Sequence, residues 1–189
     1  MILDSNYHTA LAEADWNHSA ERVETPYGVA FRHDIFDGYT SEYDACDVLY
    51  TDIPMACGFD VFERRAGILK RNYIDFMLAM QRFIKYSNKP TVVMGGARAA
   101  NFFQPLSINY KSKLNGLDVY AICFNMDLEQ HENEHEILLE LALRFNCIGD
   151  FCCGYGRAGR IFQSQKKRFV MSDYNDFCIG HIAEHWGNW

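Results

Sequence analysis

Two short segments hold residues whose types and spacing could do chemistry. The first is Cys46–Met55, reading CDVLYTDIPM. A compact apolar run, Cys46–Thr51, stops at Asp52-Ile53-Pro54-Met55, as a buried parallel strand does when it reaches a ligand crevice. Asp52 and the carbonyl of Ile53 offer two acceptors side by side. Such a pair can hold an exocyclic NH₂ and leave its lone pair free to attack an electrophile. Pro54 would fix the backbone that aims them. Taken alone, the segment favours a plainer reading, in which Asp52 caps the next segment and Pro54 ends the strand.

The second segment is Asp150-Phe151-Cys152-Cys153-Gly154-Tyr155-Gly156, a strand end, an acid and a glycine turn before a helical stretch. Gly154 and Gly156 would let the backbone approach a ligand closely, and Gly159 would let the helix pack on the sheet. Asp173 lies at the end of the next strand, where a carboxylate can take both hydroxyls of a ribose. A glycine turn alone is common, but its pairing with the later acid favours nucleotide binding.

A third constellation competes with these. His131-Glu132-Asn133-Glu134-His135 matches His-Glu-x-x-His, which on a helix would offer two imidazoles to zinc with Glu132 as base. Asp127, Glu129, Gln130, Glu134 and Glu136 in and around it instead suggest a solvated helix start, with acids favoured by the N-terminal dipole. The chain shows no obvious third ligand motif beyond it, so no metal is expected. His181 and His185 repeat the spacing and read as surface histidines.

The elements around these segments alternate. Strands are expected at Tyr27–Asp34, Cys46–Thr51, Thr91–Met94, Val119–Phe124, Cys147–Phe151 and Arg168–Ser172. Apolar periodicity predicts helices over Arg71–Tyr86, Glu134–Phe145 and Asn175–Trp186, the first closed by the breaker cluster Ser87–Pro90. Met1–Thr25 reads as a helical or irregular lead-in, and Gly95–Leu117 as a long, locally basic insert, either a substrate-contacting loop or a solvated connection. Alternation of this kind defines an α/β domain with a mostly parallel sheet, and ligands in such folds lie outside the carboxyl ends of the strands.

Composition narrows the class. The chain has 189 residues, 49% hydrophobic, 15% aromatic and 23% charged, which is the make-up of one globular domain with its own core. The net charge of −7 argues against tight, sequence-blind DNA binding, though not against a local basic face. The seven cysteines are odd in number and lack Cys-x-x-Cys spacing, so buried reduced thiols are expected. No apolar run is long enough to span a bilayer, and no leader is evident at the start. A cytoplasmic location is the expectation.

In order and type, these segments resemble the S-adenosylmethionine-dependent amino-methyltransferases in their circularly permuted arrangement. Tyr50–Met55 looks like the family's strand ending in Asp-Pro-Pro-Tyr. Gly149–Gly156 is similar to its later Asp-Pro-Phe-x-Gly-x-Gly, with Phe151 one place early and Cys152 at the phenylalanine position. Lys167–Tyr174 is similar to Gly-Arg-x-Phe-Ile-Gly-Ile-Glu, and Arg32-His33-Asp34 resembles the segment whose acid reads the cofactor adenine. The likeness runs from about Tyr27 to Trp186. Ile53 stands where the family has proline, and Met55 where it has the aromatic that stacks on a flipped base.

The resemblance implies a three-layer class I methyltransferase fold, Rossmann-like, with residues 1–26 as lead-in and 27–189 as the methyltransferase domain. It implies S-adenosyl-L-methionine as cofactor and methyl transfer to an exocyclic amine, adenine N6 in DNA by preference. Asp52, Ile53, Pro54 and Met55 are then the catalytic segment. Asp34, Asp150, Phe151, Cys152, Gly154, Gly156 and Asp173 are the cofactor contacts. The alternatives are a methyltransferase-like binding protein without catalysis, another amine as target, and the zinc hydrolase. The sequence leaves a homodimer open and implies no membrane partner.

Overall fold

The computed structural model describes residues 19–56, 58–67, 71–104, 108–114 and 117–186. Strands β1 (Arg22–Thr25), β2 (Gly28–Arg32) and β3 (Val48–Asp52) come first. Helices α1 (Phe59–Arg65) and α2 (Tyr73–Ser87) lead to β4 (Thr91–Gly95) and α3 (Ala97–Phe103). The hairpin β5 (Ile108–Leu114) and β6 (Leu117–Phe124) is next. Then come α4 (Glu134–Arg144), β7 (Cys147–Asp150), α5 (Arg157–Ser164), β8 (Arg168–Asp173) and α6 (Asp176–Trp186).

These strands form one eight-stranded sheet in the order β1-β2-β8-β7-β3-β4-β6-β5. From β2 through β4 every neighbour is parallel. β1 and the β5–β6 hairpin pair antiparallel at the two edges. β7, late in the chain, lies mid-sheet between β3 and β8. The carboxyl ends of β3, β7 and β8 therefore come side by side.

Side-chain alternation along the strands divides the core into two layers. Leu49, Val93 and Ile122 face α1, α2 and α3, which contribute Phe59, Phe76, Met80, Phe83 and Phe103. Val48, Tyr50, Met94, Ile148 and Met171 face α4, α5 and α6, which contribute Leu138, Leu141, Phe162, Ile179 and Trp186. The result is three layers, helix–sheet–helix. Asp52, Asp150 and Asp173 share the parity of Tyr50, Ile148 and Met171, so all three belong to the α4–α6 face.

Local chemistry sets the helix limits. Asn72 caps α2 by accepting from the Ile74 amide at 2.8 Å, and Asn88, in the left-handed region at φ 51°, ends it. α4 begins one residue after Asn133, whose side chain accepts from the Glu136 amide at 3.1 Å. The expected helix over Arg71–Tyr86 thus starts later than periodicity suggests, because Asn72 takes the capping position.

The structure departs from the sequence reading in several places. Arg22–Thr25 is an edge strand paired with β2, not an irregular lead-in, so the hairpin crosses the boundary drawn at residue 26. Its polar composition hid it, since only one face of an edge strand meets the core. Within the insert expected as a loop, α3 and β5 form instead. The part of the lead-in before residue 19 lies outside the described residues, as do Cys57 and the last three residues.

Of the described cysteines, Cys46, Cys123, Cys147, Cys153 and Cys178 are buried, Cys152 is half-buried, and all are free thiols. Among the described residues no helix is long and apolar enough to cross a membrane.

Candidate functional site at the carboxyl ends of β3, β7 and β8

The glycine turn is built from the residues upward. Asp150 ends β7 and is 1% exposed. Its Oδ1 accepts from the Cys152 amide at 3.3 Å. Its Oδ2 is buried with no hydrogen bond, and Thr51 Oγ1, close by, is likewise buried without a well-formed one. Asp173 closes the turn from β8. Its Oδ2 accepts from the Gly154 amide at 2.9 Å, and its Oδ1 from the Asn175 amide at 2.9 Å.

The two glycines have different tasks. Gly154 sits at φ 49°, and a Cβ there would meet nothing within 4 Å, so the turn opens on free space. Gly156 sits at φ 76°, and its Cβ would lie 2.8 Å from Trp186 and 3.1 Å from Ile182. Gly156 is therefore needed for packing against α6 as much as for approach to a ligand. Gly159 performs the packing role expected of it, since a Cβ would lie 2.4 Å from Trp186 and 2.5 Å from Met171.

At the end of β3, Asp52 is half-buried and pairs in register with Met94. The Ile53 amide donates to Met94 O at 3.0 Å, which fixes the peptide next to Asp52. The Ile53 side chain is 5% exposed and packs over Gly95, whose Cβ would sit 3.3 Å from it. Ile53 thus supplies an apolar anchor where the related motif has proline. Met55 is half-buried beside Gly96, and its carbonyl accepts from the Gly58 and Phe59 amides at 2.8 and 3.0 Å, launching α1.

The electrostatics are those of crowded carboxylates. Burial pushes the Asp52 carboxyl up to about 7, with Glu134 adding to the rise and Arg157 opposing it. Asp173 is pushed up to about 6 by burial, against the pull of its two amide donors. Asp150 stands well above the usual carboxylate range, through burial first and then the charge of Asp52. Acids thus outnumber bases at this end of the sheet, with Arg157 the cation that acts on Asp52, and Asp150 Oδ2 lies buried close to Thr51.

Two expected contacts lie differently. Asp34 caps the turn Ile35–Asp37, with Oδ1 accepting from the Phe36 amide at 3.0 Å, and its Oδ2 pairs with Arg71 at 2.6 Å. Arg71 in turn lies over the Phe36 ring at 4.4 Å. Both oxygens of the acid expected to read adenine are therefore already engaged. Phe151 is 2% exposed and stacks on Phe83 at 4.8 Å, so it supports the turn from beneath. Cys152 is the residue of that pair with exposed surface.

The histidine motif does not form a helical pair. α4 starts at Glu134, so His131 lies ahead of it, held by Glu140 at 2.6 Å. Among the described residues no group of three or more potential ligands is arranged for a metal. His181 and His185 stack on each other at 4.1 Å, and Tyr155 meets His181 edge-on at 4.9 Å. Burial and the neighbouring His185 push His181 down to about 4.

Sequence reasoning missed one participant. Glu134 reads as one of the solvated acids of the α4 start, yet it is 2% exposed. Its Oε1 accepts from the Tyr50 hydroxyl at 2.5 Å, and its Oε2 pairs with Arg157. The signal that separates Glu134 from its neighbours is helical spacing: with Ile137, Leu138 and Leu141 it continues the buried stripe of α4.

A helix–sheet–helix sandwich with this strand order, a glycine turn after the mid-sheet strand and acids at three adjacent strand ends defines the class I methyltransferase fold. Comparison with the M1.HpyAVI structure agrees on that fold. The crystal structure of M1.HpyAVI superposes with a TM-score of 0.51 at 10% identity, covering 85% of this chain and 98% of that one. The M1.HpyAVI–SAM complex gives 0.49 at 9% identity over 83% and 98%. The PvuII DNA methyltransferase (cytosine-N4-specific) gives 0.48 at 10% identity over 83% and 86%. No protein-family model and no curated protein matches the chain.

Proposed function

We propose that the protein is a methyltransferase that uses S-adenosyl-L-methionine to methylate an exocyclic amine, with adenine N6 in DNA as the target. One observation supports this reading above the others. Asp52, ending β3, shares a sheet face and an electrostatic field with Asp150 and the Asp173–Gly154 turn. An amine acceptor and a site for a cationic nucleotide-like cofactor are thereby neighbours. The M1.HpyAVI-like fold and the resemblance of the motifs to the permuted amino-methyltransferases support it.

When bound, the cofactor supplies a methyl group on a sulfonium, an already activated leaving group that requires no metal. The turn anchored by Asp150 and the open face of Gly154 would hold its charged amino-acid portion. Asp173, already fixed by two amides, would offer its remaining lone pairs to the ribose. Asp34 would take the adenine only by sharing its bonds to Arg71 and Phe36. Asp52 and the Ile53 carbonyl would each accept from the target NH₂, turning its lone pair toward the methyl. Holding the pair in this geometry is the main catalytic contribution. Met55 would give the target base an apolar contact in place of an aromatic one. A DNA partner and a cytoplasmic location belong to the same proposal.

The test is incubation with methyl-labelled S-adenosylmethionine and separate pools of DNA, RNA and protein. The reading expects label in DNA, recovered as N6-methyladenine. Label confined to RNA or protein would overturn the DNA target, and label in no pool would favour a binding protein.

A further inference from the structure

We propose that Glu134 and Arg157 are positioning residues for Asp52, a partly buried ion pair that governs when that carboxylate is ready to accept a hydrogen bond. The proposal rests on the reading of Asp52 as the amine acceptor. Two contacts that join β3, α4 and α5 carry it.

The Tyr50 hydroxyl donates to Glu134 Oε1 at 2.5 Å. Tyr50 precedes Asp52 by two residues on β3, so both side chains lie on the same face of the sheet. Glu134 Oε2 pairs with Arg157, the first residue of α5 after the glycine turn. One carboxylate on α4 therefore ties the substrate-side strand to the cofactor-side helix. Tyr50 is fully buried and Glu134 is 2% exposed, whereas the Arg157 side chain keeps 37% of its surface. Arg157 thus reaches from the surface inward to Glu134.

An ion pair of this kind contributes little net stability compared with apolar side chains of similar size. Its consequence is the field it creates at Asp52. Facing Asp52 are Glu134 from α4, Arg157 from α5, Asp150 from β7, Asp173 from β8 and Tyr50 on its own strand. β4 brings only the uncharged Met94 opposite it in the ladder. Glu134 opposes ionisation of Asp52 and Arg157 favours it. The two side chains act on the carboxylate with opposite sign while bonded to each other.

The opposite signs make the test specific. Full-length protein carrying carbon-13 carboxyl-labelled aspartate is titrated by NMR, with the Asp52 resonance assigned by its absence in Asp52→Asn. In Glu134→Gln, which keeps an acceptor for Tyr50 and frees Arg157, the Asp52 midpoint should fall by about one pH unit or more. In Arg157→Gln it should rise by a similar amount, and the double variant should return toward the parent value. The acid limb of kcat/KM should move with each midpoint. A purely structural pair would lower activity in both variants and move neither midpoint. Midpoints within about 0.2 units of the parent in folded variants would overturn the proposal, because neighbouring charges that act on a carboxylate shift it by more than that. Should Glu134→Gln fail to fold, the partly exposed Arg157→Gln decides alone. Failure of the parent protein to methylate any amine would count against the proposed function and leave the NMR comparison intact.

Discussion

Asp173 Oδ2 accepts from the Gly154 amide at 2.9 Å, so the acid that ends β8 also shapes the glycine turn after β7. A single carboxylate thereby ties the end of β8 to the turn that follows β7. Its second oxygen accepts from Asn175, which holds the start of α6 in the same frame.

Removing that carboxylate should weaken binding and also loosen the turn, since two amides lose their acceptor. Asp173→Ala is expected to weaken S-adenosylmethionine binding by roughly 10- to 100-fold, since a hydrogen bond to a charged acceptor is worth about 1.5–3 kcal/mol. Calorimetric titration checks this. Unchanged affinity in a folded variant would mean that Asp173 serves the turn alone.

The raised carboxyls give the ligand-free protein a specific pH dependence. Asp52, at about 7, and Asp173, at about 6, hold their protons more tightly folded than unfolded. Their stabilising contribution is complete below about pH 4, the ordinary aspartate range. It is lost as pH rises through 6 and 7. Thermal unfolding should thus show a lower Tm at pH 8 than at pH 5.5. Asp52→Asn should raise Tm at pH 8 by about 2–8 °C, equivalent to about 1–2 kcal/mol in a chain of this size, by clearly less at pH 5.5, and hardly at all below about pH 4. The same gain at pH 8 and pH 5.5 would contradict the assigned charge state.

Gly159 offers a test of the packing behind the site. A Cβ there would lie 2.4 Å from the Trp186 ring and 2.5 Å from Met171 Sδ. Met171 can move aside, but Trp186 is packed edge-on against Phe169 at 5.1 Å. Gly159→Ala is expected to destabilise by about 1–2 kcal/mol net, after the gain in helix propensity. Denaturant unfolding measures it, and a more stable variant would show that α6 yields.

Met55 bears on the target. Base–aromatic stacking is worth about 1–3 kcal/mol, and Gly96 leaves space beside Met55, with its Cβ position 3.9 Å from the thioether sulfur. For a flipped base, Met55→Tyr should lower KM for DNA several-fold at unchanged or raised kcat. A variant that binds cofactor normally but no longer turns over would indicate a target other than a planar base.

Much of this arrangement was legible in the sequence because it is carried by local signals. Apolar runs that stop at Asp52, Asp150 and Asp173 mark the ends of parallel strands, and the glycines between Cys153 and Arg160 mark the turn. What escaped was set by tertiary contact. β1 shows no strand pattern because only its pairing with β2 makes it a strand. The engagement of Asp34 depends on Arg71, far along the chain. Glu134 shares its composition with solvated neighbours; only its place on the apolar stripe of α4 hints at burial, and its partners Tyr50 and Arg157 come to it across the fold. Phe151 and Cys152 are adjacent, and only the turn geometry decides which of them is buried.

The most direct measurement compares the parent protein with Asp52→Ala for transfer of labelled methyl from S-adenosylmethionine to DNA, with cofactor affinity measured on the same samples. Loss of one positioned charged acceptor at the reacting amine is worth about 3 kcal/mol, or roughly 10²-fold in turnover. The account predicts that loss with cofactor binding nearly intact and N6-methyladenine as the labelled product of the parent. Equal transfer by both proteins, or no transfer by the parent, would contradict it.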